Sequence, residues 1–250
     1  MTSTAVQLHA QLPVAINRLL VTVRDPHTRA YRSLGFLSHV GDRYSFAYLR
    51  GELARGDFRP LPGLARAVSG PVWSDTLFPL FAERVISFRR PDRKISLAAL
   101  GLPFDAAPME VLARSHGQRV GDTIELLPAP NLGDGETVAF TFLTHGVRHL
   151  LETEQDRLAS LVPGDRLRLR PDRANEVNPR AQLVTDLGDI RLGWLPDPLI
   201  DVVEAIEEQR LSVERANGPE VGFHFRLLAR LEGRVQSGRW LFTGREWETN

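Results

Sequence analysis

Seven histidines and no cysteine set the chemical repertoire of this 250-residue chain. Without cysteine there is no disulfide, no thiolate nucleophile, no Cys-ligated zinc and no iron–sulfur cluster. Of the histidines, only His145 and His149 are close in sequence. On a helix their spacing would suit a metal, but the segment reads as strand, where such positions lie about 13 Å apart at about 3.3 Å per residue. No metal and no cofactor is therefore expected. Phosphate-cradling GxxxxGK[ST] and GxGxxG loops are absent, and so is a GxSxG elbow. The acidic groups Glu152, Glu154, Asp156 and Glu204, Glu207, Glu208 fall at solvent-face spacing. No residue stands out as catalytic, and the chain is expected not to be an enzyme.

The remaining polar chemistry is cationic. Lys+Arg and Asp+Glu both number 31, yet the balance is uneven along the chain. Residues 1–128 carry 16 basic and 11 acidic side chains, a surplus of five positive charges; residues 129–250 carry 15 and 20, the reverse. Lys94 is the only lysine, and every other basic residue is arginine. GC-rich coding accounts for that bias, although guanidiniums also favour bidentate phosphate contacts. One local feature is sharper. Arg166-Leu-Arg-Leu-Arg170 alternates with period 2, which puts Arg166, Arg168 and Arg170 on one strand face and two leucines on the other.

The elements that must position these residues fall in two blocks. Leu19–Val23, Tyr31–Ser38 and Tyr44–Leu49 read as a three-stranded antiparallel meander, separated by turns at Asp25-Pro26-His27 and Gly41-Asp42. Helices are expected from Ser74 or Asp75 through Ile86, at Leu97–Leu100, and from Asp105 through Arg114, with a strand at Thr123–Leu127. The linker-like stretch Pro128–Gly135 then marks a boundary, giving domains at 1–130 and 136–250. Beyond it strands are expected at Thr137–Thr144, Arg166–Arg170, Gln182–Thr185, Ile190–Gly193, Leu211–Glu214 and Gly222–Leu231. Helices are expected at Thr153–Leu161 and Asp197–Arg210. The fold class is α+β, an antiparallel meander with helices followed by a small OB-like β-barrel with helices. No run reaches the roughly 20 apolar residues of a membrane helix. Met1–Ala10 does not read as a secretory leader, so a cytoplasmic protein without membrane contact is expected.

Four strings in order give the second block a family likeness: Gly146-Val-Arg148-His149-Leu150; Pro163-Gly164-Asp165 running into Arg166–Arg170; Asn175-Glu-Val-Asn178-Pro-Arg-Ala181; and Leu192-Gly193-Trp194-Leu195-Pro196. Over about residues 137–232 the chain resembles the HIRAN domain. The resemblance implies an OB-like barrel, found alone or attached to helicase-type remodelling ATPases, that grips single-stranded DNA at a 3′ end. It further implies Arg148 on a backbone phosphate, His149 as a stacking group, and Asn175 and Asn178 lining the pocket. Trp194 either shapes that pocket or fills the barrel core, and Arg166, Arg168 and Arg170 would add phosphate contacts. The sequence departs from the family where Leu150 and Val177 replace aromatics, Asn178 replaces Asp and Glu176 replaces Pro. A stacking platform is worth about 1–3 kcal/mol per base, so each departure of that kind weakens the grip.

Residues 18–128 resemble, more loosely, the small N-terminal subdomain of HipA-type toxin kinases. The likeness rests on Tyr44-Ser-Phe-Ala-Tyr48, Leu77-Phe-Pro-Leu-Phe81 and Val111–Gly117 leading to Ile124–Pro128. That subdomain implies partner docking without catalysis, and the kinase core does not follow here. Tyr44 and Tyr48 read as packing residues. Together these features point to a non-catalytic DNA-binding accessory protein that docks a protein partner, such as an ATPase, a helicase or another complex subunit. The alternative is a scaffold subunit of a toxin–antitoxin or defence complex with a degenerate DNA pocket.

Overall fold

Short apolar runs bounded by turns build two antiparallel sheets. A computed structural model describes residues 17–250 other than 120, 131 and 237–240; the leader question at Met1–Ala10 lies outside them. Strands β1 (Arg18–Arg24), β2 (Tyr31–Val40) and β3 (Arg43–Tyr48) form the expected meander. The short β4 (Val72–Ser74) adds beyond β3, and β5 (Ile124–Pro128) adds beyond β1, giving the order β4-β3-β2-β1-β5. Asp25 makes the β1–β2 turn: its carboxylate accepts from the amides of His27 and Thr28 at 2.8 and 2.7 Å. That leaves Arg29 in the left-handed region at φ 62°.

This sheet is covered on both faces. Leu19, Val21 and Leu126 face a core with Phe46, Phe81 and Leu112. Leu20, Phe36 and Leu127 face the opposite way, into a core shared with the second sheet. The helices of the first block are short: α1 (Arg50–Leu53), α2 (Pro79–Ala82), α3 (Arg93–Ala99) and α4 (Pro108–Ser115). The helix expected from Ser74 through Ile86 is thus a single turn. Ser74 pairs in β4 instead, and the helix waits for Pro79, whose missing N–H suits a first helical position. In α4 the start signal is Glu110, whose carboxylate accepts from the Ala107 amide at 3.1 Å.

The second sheet comprises β6 (Thr137–Leu143), β7 (Arg166–Pro171), β8 (Gln182–Asp186), β9 (Arg191–Trp194), β10 (Ile206–Ala216) and β11 (Leu227–Val235), in the order β6-β11-β10-β7-β8-β9. It curls. Just past β6, His145 and Trp194 exchange backbone bonds of 2.9 and 3.0 Å, which joins the last strand to the first and gives a barrel-like closure. Val138, Phe140 and Phe142 fill its interior with Leu167, Val184 and Leu192. Helix α5 (Glu152–Ala159) begins one residue before the expected Thr153, because Glu154 reaches back to the Leu151 amide at 2.8 Å.

Two expectations are corrected here. The helix expected over Asp197–Arg210 is only α6 (Ile200–Glu204) with a 3-10 turn before it. Gln209 Nε2 donates to the carbonyls of Val203 and Ile206 at 2.8 and 2.9 Å, closing the helix end while the chain enters β10 through a bulge. The strand expected to run through His149 also stops at Leu143; Gly146 is left-handed and Val147–His149 is a 3-10 turn. At its other end the chain returns to the first sheet, where Asn250 donates to the Tyr48 carbonyl at 3.1 Å and Thr249 bridges Leu49.

Candidate functional site

The period of β5 turns one acid into the interior. Ile124 and Leu126 face the helices, so Glu125 faces the barrel, where it is 4% exposed. Its Oε1 accepts from three donors: His116 Nδ1 at 3.0 Å, His145 Nε2 at 2.8 Å and Gln118 Nε2 at 2.8 Å. His116 is aimed there by its own left-handed backbone (φ 56°), which ends α4. His145 is aimed by the bridge to Trp194.

These contacts fix the charge states. Burial alone would raise the Glu125 carboxyl, but the two imidazoles hold it well below the usual carboxylate range. Burial keeps His116 low and neutral. The Leu143 amide donates to His116 Nε2 at 3.2 Å, so its proton sits on Nδ1, facing Glu125. For His145, burial is outweighed by the Glu125 charge and hydrogen bond, and its pKa lies above the ordinary histidine value. Among the described residues these three side chains form the group whose donor atoms, all within 4.8 Å of one another, lie close enough for a metal. The hydrogen bonds argue otherwise. A metal on His116 Nδ1 would move the proton to Nε2, against the Leu143 N–H.

Above this network opens a cleft of about 720 Å³ between the two sheets. Arg148, His149, Asn175 and Trp194 all line it, so four of the residues singled out from the sequence come together. Arg148 and His149 are exposed, with Arg148 Nε donating to His149 Nε2 at 3.0 Å. Trp194 is half-buried; its Nε1 donates to Asp172 Oδ2 at 2.8 Å, and Gly146 lies against its ring, where a Cβ would collide. Asp172 Oδ2 also accepts from Asn175 Nδ2 at 3.3 Å, which ties both residues to one carboxylate. Val177 lines the cleft and is 48% exposed. Leu150 is buried in the barrel core and cannot stack on a base.

Other expected residues lie elsewhere. Asn178 is outside the cleft lining, and its side-chain oxygen accepts from the Arg180 amide at 2.9 Å as a turn cap. Arg166, Arg168 and Arg170 do share the exposed face of β7, with Leu167 inward, but they line a separate groove of about 430 Å³. Arg170 is held there by Asp189 at 2.8 Å. Tyr48 is fully buried and Tyr44 stacks on His39, as packing residues do.

The first sheet supplies what local sequence patterns do not reveal: Arg24, Arg29, Tyr31, Gln118, Arg119 and Glu125 all line the cleft. Arg119 is engaged by Glu83 at 2.7 Å, and the cleft's Asp122 is paired with the buried Arg84. For Glu125 the available signal is a lone acid at an inward position of an apolar strand. Burial keeps the Tyr31 phenol above its ordinary pKa, so it remains a hydrogen-bond donor.

No family model matches the chain, and no curated protein matches its sequence. Among solved structures it is similar to a protein from Lactobacillus plantarum, at 20% identity and a TM-score of 0.31, over 40% of this chain and 97% of that one. It is also similar to the HIRAN domain of human HLTF, at 13% identity and a TM-score of 0.29, over 42% of this chain and 84% of that one. At these scores neither likeness carries the assignment of the cleft. No helix among the described residues is long and apolar enough to cross a membrane.

Proposed function

We propose that the chain is a non-catalytic reader of single-stranded DNA, and of its 3′ end in particular, with the strand held in the cleft between the sheets. The supporting observation is the meeting of Arg148, His149, Asn175 and Trp194 in one concavity rimmed by further arginines. Guanidiniums pair with phosphates, ring faces stack on bases, and a carboxamide fixed by Asp172 offers hydrogen bonds to a sugar or base edge. Fluorescence anisotropy of labelled oligonucleotides over a salt series tests the reading. Wild type binds more weakly as salt rises, because bound phosphates release counterions, and Arg148→Ala binds more weakly throughout. A blocked 3′ end reduces affinity if the terminus is read.

A second reading makes the chain an interaction subunit, with the HipA-like first block docking a protein partner. It is favoured by Phe88, Ile95 and Phe104, which are 63%, 60% and 54% exposed on that block. Absence of DNA binding by wild type at low salt selects this reading over the first.

A further inference from the structure

Glu125 and His145 come from different sheets, and their pairing decides which imidazole nitrogen is left for a ligand. His145 Nε2 is committed to Glu125, so Nδ1 remains, 3.4 Å from Tyr31 Oη. Three guanidiniums line the same cleft: Arg24 from the end of β1, Arg29 from the β1–β2 turn and Arg148 from the barrel. Arg24 Nε donates to the Arg29 carbonyl at 3.2 Å, and the Arg24 guanidinium sits 5.7 Å from the Tyr31 ring centre. Among the described residues none of the three has a carboxylate partner. They are therefore available in a way that Arg119 and Arg170, each held by an acid, are not.

We propose that a backbone phosphate of the bound strand seats at this junction, on His145 Nδ1–H, the Tyr31 hydroxyl and the guanidiniums of Arg24, Arg29 and Arg148, so that the first sheet forms one wall of the binding site. This deepens the reading of the cleft as a single-stranded DNA site and rests on it. Glu125 keeps His145 oriented and charged, its Oε1 accepting from three donors of the protein.

The seat is pH-sensitive through one group. The charges that face His145 are Glu125 from β5, Arg24 at the end of β1 and Asp197 from the turn after β9; Tyr31 and His116 pack against its ring. Glu125 and Asp197 favour the imidazolium, and Arg24 opposes it. His116, whose pKa burial lowers, stays neutral. The bound phosphate therefore gives up one donor and one charge as pH rises through the His145 pKa.

The test uses the full chain and hexathymidylate with hydroxyl groups at both ends, whose phosphodiesters keep their charge from pH 6 to pH 8.5. At constant ionic strength, wild-type affinity falls by about fivefold across that range, as linkage to one proton allows. His145→Gln is weak and pH-independent, whereas His149→Gln retains the pH dependence. Arg24→Ala/Arg29→Ala binds about tenfold more weakly at every pH, with a salt slope shallower by about 0.7 for each phosphate that is no longer neutralised. Independently of any substitution, the His145 ring nitrogens shift in the histidine NMR spectrum of wild type when the oligonucleotide is added. If Arg148→Ala loses affinity while Arg24→Ala/Arg29→Ala binds like wild type, the seat is wrong and the cleft reading stands. A pH-independent wild type or unmoved His145 resonances also overturn the seat. No binding by wild type at low salt overturns both.

Discussion

Glu125 Oε1 and His145 Nε2 lie 2.8 Å apart inside the protein, a carboxylate from the first sheet holding an imidazole from the second. The contact is a pin between the two halves as well as the floor of the cleft. Glu125→Gln keeps the shape but leaves His145 without its counter-charge and His116 without its carboxylate acceptor. It is expected to cost about 1–3 kcal/mol in urea denaturation, the range for a buried polar group left poorly satisfied. It should also lower the His145 pKa toward the ordinary histidine value, read by NMR titration.

The same pair predicts how stability follows pH. A raised pKa in the folded state means that His145 binds its proton more tightly folded than unfolded. Its contribution is fully present below the ordinary histidine pKa and is lost as pH rises through the raised folded value. His116 has the opposite sign: its pKa is lowered, so burying it neutral costs nothing above the ordinary value and destabilises the fold as pH falls below it. Glu125, also lowered, contributes above the usual carboxylate range and loses that contribution in acid. Urea midpoints on the alkaline side should therefore decline in wild type and stay level in His145→Gln. An equal decline in both would locate the titrating group elsewhere.

Gly146→Ala tests the closure of the barrel. The residue sits at φ 71°, and a Cβ there would strike the Trp194 ring. A left-handed alanine and a displaced indole together should cost about 1–3 kcal/mol. Tryptophan emission should shift as Trp194 moves, and affinity for single-stranded DNA should fall with it. Unchanged emission and melting temperature would contradict the closure.

The shared core makes a prediction about cooperativity. Phe36 is 2% exposed on the face of the first sheet that meets the barrel, packs on Phe242 and Trp247 at 5.6 and 6.1 Å, and carries Arg18 over its ring at 3.5 Å. Because one apolar cluster spans both sheets, calorimetry should record a single unfolding transition. Phe36→Ala should lower the stability of the whole by about 3–5 kcal/mol. Two separated transitions would mean that the sheets unfold independently.

Much of the architecture is legible in local pattern. Short apolar runs bounded by the turns at Asp25 and Gly41 give β1 to β3, and period-2 alternation gives β7. The β7 alternation also separates Arg166, Arg168 and Arg170 from Leu167 correctly. Pattern fails where a distant partner decides. Leu199, Val202, Val203 and Ile206 carry a helical apolar spacing, yet pairing with β11 and the Gln209 cap turn Ile206–Arg210 into strand. The cleft divides the same way. Arg148, His149, Asn175 and Trp194 are singled out by the resemblance that short strings carry, and they line the cleft. His116, Glu125 and Tyr31 are not singled out, since only the docking of two sheets makes them neighbours. The arginine strip shows the limit from the other side: alternation fixes its face, but not which groove that face lines.

Hydrogen–deuterium exchange of the full chain with and without a short single-stranded oligonucleotide tests the central claim most directly, because it reports where the strand lies. Binding in the cleft predicts slowed exchange at Arg24–Tyr31, Thr144–His149 and Asn175–Val177 together, from both sheets at once. Protection confined to Arg166–Arg170 and its groove, or no protection at saturating oligonucleotide, would contradict it.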